Sequence, residues 1–145
     1  MRILGIDYGR KRIGLAVSDP LYITAQALPT LHRGDAESDM AALEVLIRER
    51  EVDEIVVGLP KNMDGSLGAS AREALAFADE LRARFQLAVH MVDERLSTVR
   101  AHKVMKSAGL SRKKRTESAD KVAAQLILQS YLDQRGQRGQ RGQRG

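Results

Sequence analysis

Three acidic residues from distant parts of the chain could form one catalytic centre. Asp7 lies in the otherwise apolar run of residues 3–8, where an uncompensated buried carboxylate is strongly unfavourable. Glu94 follows another apolar run, and Asp120 falls in the first turn of a predicted helix. Strand ends and a helix packed over them share one rim of a sheet, so the three carboxylates are expected to meet there.

Converging carboxylates favour a divalent cation, because a cation relieves their mutual repulsion. Mg²⁺ prefers oxygen ligands and keeps several waters, so two or three acids suffice. Two such ions about 3.5–4 Å apart can activate water and stabilise the leaving oxygen of a phosphodiester. The pattern therefore predicts a hydrolase that uses Mg²⁺ or Mn²⁺, with Asp7, Glu94 and Asp120 as both catalytic and metal-binding residues.

Each acid also has a simpler interpretation. Asp7 could accept hydrogen bonds from turn amides, and Asp120 could merely stabilise the first turn of its helix. Glu94 could form a surface ion pair with Arg95 or Arg100. Asp93 competes with Glu94 for the role of ligand.

Basic and turn-forming residues near these acids predict contacts with an anionic polymer. The loop at 58–68 is longer than most connections, and its small polar residues favour turns with exposed amides that can hold a phosphate. It could also be an ordinary connection, as the basic run at 112–115 could be a solvated loop. The expected substrate-binding residues are Arg10, Lys11, Asn62, Asp64, Gly65, Ser66, Arg95, Arg112, Lys113, Lys114 and Arg115.

Hydrophobic periodicity predicts an α/β domain of order β-β-β-α-β-α-β-α-α. Asp35 or Ser38 can cap the first helix. A hairpin meander followed by right-handed crossovers gives a five-stranded mixed sheet with helices on its faces. The predicted strands are 2–8, 12–18, about 23–30, 53–58 and 87–92, and the predicted helices end near 51, 84, 108 and 133.

The charge is distributed unevenly along the chain. The net charge of the 145 residues is +5, but four arginines lie in residues 134–145, so residues 1–133 carry only +1. Residues 134–145 are four copies of Gln-Arg-Gly with nothing to bury, and disorder is expected there. The organisation predicted is one domain at 1–133 followed by a disordered tail.

Several classes of protein are excluded by what the sequence lacks. There is no cysteine, which removes disulfides, thiolate metal sites and cysteine nucleophiles. The three histidines show no ligand spacing, and there is no P-loop or Gly-x-Gly-x-x-Gly motif. No apolar run is long enough to span a membrane and no signal-peptide pattern is seen, so a cytoplasmic, soluble protein without a membrane partner is expected.

Six blocks of sequence resemble the YqgF family, which is also called RuvX. The resemblance covers residues 1–133 in the right order, and it is specific because the blocks are long. The family's members are described as pre-16S ribosomal RNA nucleases or Holliday junction resolvases. The blocks are GIDYG at 5–9, IGLAVSD at 13–19, GLP at 58–60, MDGS at 63–66, DERLST at 93–98 and DKVAAQLILQ at 120–129.

The resemblance implies an RNase H-like fold in which the strand of Asp7 is central. It also implies metal-dependent phosphodiester hydrolysis by Asp7, Glu94 and Asp120. One geometric problem follows from that fold. The strand that ends at Glu94 lies two strands from Asp7, roughly 10 Å away, so Glu94 must reach inward or serve a second ion.

The expected function is an endonuclease acting on structured RNA, with processing of the 5′ end of pre-16S rRNA in ribosome biogenesis favoured. The alternatives are a Holliday junction resolvase acting on four-way DNA and a non-catalytic RNA-binding factor for ribosome assembly. Ribosomal precursor particles are a further expected partner. Both a monomer and a homodimer remain open. An actin/Hsp70-type ATPase is disfavoured, because it needs two such domains and a second phosphate loop.

Overall fold

A five-stranded sheet forms the centre of the computed structural model, which describes residues 1–96, 99–100 and 122–136. The strand order across the sheet is β3-β2-β1-β4-β5, so the strand of Asp7 is central. The strands are β1 (Arg2–Tyr8), β2 (Arg12–Ser18), β3 (Ala25–His32), β4 (Val52–Leu59) and β5 (Ala88–Asp93).

The pairing of the strands is mixed, as the sequence predicts. β1, β2 and β3 form an antiparallel meander, because their connections are too short for a crossover. β4 and β5 join the other side of β1 in parallel. The fold class is therefore confirmed.

Helices cover the sheet, and the capping of the first one is decided by the structure. α1 spans Ala36–Glu49 and α2 spans Ala69–Phe85. Asp35 rather than Ser38 is the N-cap of α1, because its Oδ1 accepts a hydrogen bond of 2.8 Å from the amide of Ser38. A single 3₁₀ turn, Glu94–Leu96, follows β5, and the last described helix spans residues 122–136.

The alternation of side chains along β1 divides the core into two apolar layers. Leu4 and Ile6 pack into a layer with residues of α1 and α2. Ile3 faces the other side of the sheet, where Ile127 and Leu128 of the 122–136 helix complete the second layer. All five of these residues are completely buried. Asp7 has the same parity as Ile3, so it belongs to the face covered by the 122–136 helix.

The 122–136 helix runs opposite to β4 and β5. Ile127 contacts the position of Gly58 near the carboxyl end of β4. One turn later, Tyr131 stacks on His90 in β5, with 5.5 Å between the ring centroids. The first described turn of this helix therefore lies toward the edge of the sheet where β1, β4 and β5 end.

Two predicted boundaries are corrected by local contacts. β3 begins at Ala25 rather than near residue 23, because the Asp19 carboxylate accepts hydrogen bonds from the amides of Ile23 and Thr24 and holds them in a turn. The last helix continues to residue 136 rather than ending near 133. Its extension is stabilised by Arg135, which forms a 3.0 Å ion pair with Glu54 and lies over the ring of Tyr22.

Some predictions concern residues outside the described part of the chain. These are most of the helix expected to end near 108, the basic run at 112–115, Asp120, and the tail from residue 137 onward. Within the described residues, no helix has the length and apolar character needed to cross a membrane.

Candidate metal centre

Asp7 and Gly58 lie at the same level of the sheet on neighbouring strands. Ile6 of β1 pairs with Val57 of β4 in the parallel register. The next positions on these strands are Asp7 and Gly58, close to the carboxyl end of each. Asp7 is partly buried, so its carboxylate is placed at the rim of the sheet, as the sequence predicts.

Glu94 brings a second carboxylate to the same face. It follows the last residue of β5, and only 2% of its surface is exposed. Its Oε1 lies 2.9 Å from the point that a Cβ on Gly58 would occupy. The carboxylate therefore lies over β4, about one strand spacing (~4.8 Å) nearer to β1 than its own strand. The backbone of Glu94 lies two strands from Asp7, and the side chain of Glu94 shortens that separation by reaching inward.

The neighbouring acid, Asp93, is engaged differently. Its carboxylate accepts hydrogen bonds from the Arg95 side chain, the shortest being 2.8 Å from Nη2 to Oδ2, and one of 3.0 Å from the Arg95 amide. These bonds from the Arg95 guanidinium hold the pKa of Asp93 below its usual value. Glu94 is almost fully buried, which excludes the simple surface ion pair considered for it.

The loop after β4 is folded upon itself. The amides of Asn62, Gly65 and Ser66 donate to the carbonyl of Ser66, the carbonyl of Asn62 and the carboxylate of Asp64. A phosphate would have to displace these internal bonds, so the structure does not present these three amides as an open nest. The Arg95 side chain closes the loop by donating to the carbonyl of Met63 at 3.3 Å. Arg95, expected to contact phosphate, is thus occupied with Asp93 and this loop.

The turn between β1 and β2 places two cations beside Asp7. Arg10 and Lys11 are both exposed, as phosphate contacts require. Their turn is held by Arg33, whose Nη1 donates to the carbonyls of Gly9 and Arg10 at 2.9 and 3.1 Å. The Arg33 guanidinium also lies 4.5 Å from the centre of the Tyr8 ring, at a cation–π distance.

The remaining predicted site residues, Asp120 and Arg112 to Arg115, lie outside the described residues. Within the described chain, no group of three or more metal-ligating side chains is found. Asp7 and Glu94 are the two predicted ligands that the structure describes, and both lie on the face covered by the 122–136 helix. Their donor chemistry, hard oxygen ligands in a partly dry setting, fits a divalent cation such as Mg²⁺ or Mn²⁺.

Comparison with known families identifies the chain. The family described as "RuvX: Holliday junction resolvase" matches residues 1–134. The chain belongs to the RuvX family. The match spans the whole sheet, both described acids, Asp120 and nearly all of the 122–136 helix.

Similar proteins from named organisms cover the RuvX domain almost end to end. A Moorella thermoacetica protein named "Putative pre-16S rRNA nuclease" is 53% identical over 136 residues, which are 94% of this chain and 97% of that protein. A Clostridium acetobutylicum protein of the same name is 50% identical over 133 residues, with 92% and 98% coverage.

Solved structures share the fold at low sequence identity. Thermus thermophilus RuvC in complex with a Holliday junction has a TM-score of 0.53 and 15% identity, covering 93% of this RuvX chain and 95% of RuvC. The fowlpox virus Holliday junction resolvase has a TM-score of 0.52 and 13% identity, with 92% and 99% coverage. These likenesses support the RNase H-like fold that the resemblance implies.

Two residues of this RuvX site were missed by the sequence reasoning. Gly58 is predicted only as the end of a strand and the start of a loop, although a glycine inside an apolar strand signals a close approach. Arg33 offered no such signal, because it lies far along the chain from the turn that it holds.

Proposed function

We propose that this chain is a divalent-metal-dependent endonuclease that hydrolyses phosphodiesters of structured nucleic acid, with the 5′ end of pre-16S rRNA as its substrate. One observation carries the proposal. The buried carboxylate of Glu94 extends over β4, which is the strand next to the one that carries Asp7. Two acids from strands that are not adjacent thereby approach one rim of the sheet.

The chemistry of the pair fits a metal-binding role. Carboxylate oxygens are the ligands that Mg²⁺ prefers, and a cation relieves the repulsion between two carboxylates that approach one another. Bound divalent cations would supply an activated water and stabilise the departing oxygen. Asp7 and Glu94 would hold these cations, and Asp120 would complete the set.

Asp120 suits this role by its position in sequence. It precedes the first described residue of the 122–136 helix by two positions, and the first described turn of that helix lies toward the rim where β1, β4 and β5 end. We therefore assign Asp120 as the third ligand. Arg10 and Lys11 contact the phosphates that flank the scissile bond, and the basic run at 112–115 supplies further cations for the nucleic acid.

The choice of RNA rests on the names of relatives that are 53% and 50% identical to this chain over most of their lengths. The test is cleavage of a precursor 16S rRNA fragment in Mg²⁺ or Mn²⁺, with EDTA as the control. We expect cuts near the mature 5′ end. We also expect Asp7→Asn to reduce the rate by at least about 10²–10³-fold, the usual loss for a group that stabilises the transition state. Equal cleavage by wild type and variant would remove the assigned chemistry.

A second candidate substrate is a four-way DNA junction, because the family's own description names a Holliday junction resolvase. A resolvase acts as a two-fold dimer that makes paired, symmetric nicks. Sedimentation together with junction cleavage tests this candidate. A dimer that nicks the junction symmetrically and does not cleave the rRNA precursor would show that the substrate is DNA rather than RNA.

A further inference from the structure

Gly58 lies where two side chains converge above β4. The neighbouring positions of this strand, Val57 and Leu59, carry large buried side chains. A Cβ on Gly58 would lie 2.5 Å from Cδ1 of Ile127 and 2.9 Å from Oε1 of Glu94. Both distances are shorter than carbon makes with either atom in folded proteins, so the missing side chain is what allows both groups to be there.

The space above Gly58 is also what Glu94 needs in order to approach Asp7. The backbone that carries Glu94 lies two strands from β1, roughly 10 Å away. A side chain on β4 at this level would occupy the path between them. Because β4 has no side chain there, the glutamate carboxylate advances over the strand.

We infer that Gly58 is a positioning residue for the metal centre, acting through Glu94. Its absent side chain lets the Glu94 carboxylate extend to within reach of a cation held by Asp7. The inference rests on the proposed function, in which both acids bind the cation. It further predicts that the methyl group of Gly58→Ala displaces the Glu94 carboxylate from the metal centre.

Gly5 offers a matched control one strand away. It lies under the same helix, and a Cβ there would be 2.7 Å from Cβ of Leu128 and 3.3 Å from the carbonyl of Ala124. Gly5→Ala therefore crowds the helix against the sheet without touching Glu94. Both Gly→Ala variants should lose stability through overpacking, which urea unfolding measures.

A second design separates crowding of the helix from displacement of Glu94. Valine has no Cδ1, so Ile127→Val removes the closest clash at Gly58 and leaves the one with Glu94, together with a tight contact of 3.2 Å to Cγ1 of residue 127. The double variant Gly58→Ala/Ile127→Val should regain part of the stability lost by Gly58→Ala. Ile127→Val alone provides the background for this comparison.

The deciding readout is Mn²⁺ binding, followed by electron paramagnetic resonance, together with the Mn²⁺ concentration needed for half-maximal cleavage. We expect Gly5→Ala and Ile127→Val to bind Mn²⁺ like the wild type. The double variant should bind at least about tenfold more weakly, a change of about 1.4 kcal/mol, despite its partly recovered stability. Wild-type Mn²⁺ affinity in the folded double variant would overturn the inference.

Glu94→Gln separates a failure of the Gly58 inference from a failure of the proposed ligand set. If Glu94→Gln loses Mn²⁺ affinity while the double variant keeps it, only the role of Gly58 fails. If Glu94→Gln binds Mn²⁺ and cleaves as the wild type does, the proposed ligand set is wrong and the Gly58 inference falls with it.

Discussion

The guanidinium of Arg95 donates two hydrogen bonds to one carboxylate oxygen of Asp93, with Nε 3.1 Å and Nη2 2.8 Å from Oδ2. The two residues are separated in sequence only by Glu94. One acid is thus neutralised by an arginine, while the next turns inward over β4. Adjacent carboxylates therefore have different environments here.

Asp93→Asn and Glu94→Gln should differ in their effects on metal binding. Asp93→Asn removes the charge that Arg95 binds, so it should lower the free energy of unfolding and leave Mn²⁺ affinity nearly unchanged. Glu94→Gln removes a proposed metal ligand, so it should abolish tight Mn²⁺ binding. Urea unfolding and Mn²⁺ titration of both variants give the comparison. A loss of Mn²⁺ affinity in Asp93→Asn but not in Glu94→Gln would make Asp93, rather than Glu94, the metal ligand.

The ion pair between Asp93 and Arg95 should make stability depend on pH in the acid range. Because Arg95 lowers the pKa of Asp93 in the folded state, the pair stabilises the fold above the unfolded-state pKa of about 3.9. This contribution is lost as the pH falls through the lower, folded-state pKa. Arg95→Gln should therefore be less stable than wild type at pH 7, and the gap should narrow below about pH 3.9. A gap independent of pH would show that the pair contributes nothing through Asp93.

Arg33→Lys should weaken substrate binding without slowing the chemical step. Lysine keeps the charge but cannot donate to two carbonyls and stack on an aromatic ring with one planar group. The turn that carries Arg10 and Lys11 should loosen, so KM should rise several-fold while kcat changes little. Arg48→Lys, in an exposed i,i+4 pair on α1, is the matched control. A fall in kcat at constant KM would place Arg33 in the chemistry rather than in the turn.

Two truncations should distinguish the contribution of the end of the last helix from that of the tail that follows it. Removal of residues 137–145 deletes three arginines, so the salt dependence of RNA binding should become shallower and the cleavage site should not change. Removal from residue 134 onward also deletes Arg135 and its ion pair with Glu54. Only the second truncation should lower the melting temperature. Equal melting temperatures would show that the ion pair does not secure the helix end, and a shifted cut would give the tail a role in selecting the site.

Much of the fold follows from patterns that are local in sequence. The alternation of Ile3, Gly5 and Asp7 against Leu4 and Ile6 predicts which face of β1 carries the acid, and the structure has these faces. The short link after Tyr8 predicts the hairpin. Such features are predictable because strand period and turn length act over a few residues.

The contacts that shape the site are not local, and the sequence does not specify them. Asp93 and Glu94 are adjacent acids, and only the path of the chain beyond β5 decides which one Arg95 binds and which one turns over Gly58. Arg33 reaches a turn formed by residues 9–11 because β3 pairs with β2. These arrangements depend on tertiary packing, which no short window of sequence contains.

Anomalous diffraction from crystals grown with saturating Mn²⁺ tests the central claim most directly. We expect a Mn²⁺ peak with carboxylate oxygens of both Asp7 and Glu94 among its ligands, at about 2.1 Å, as for a small hard cation. The same peak should be absent in crystals of Asp7→Asn. A Mn²⁺ peak elsewhere on the molecule, with none at this rim of the sheet, would contradict the account.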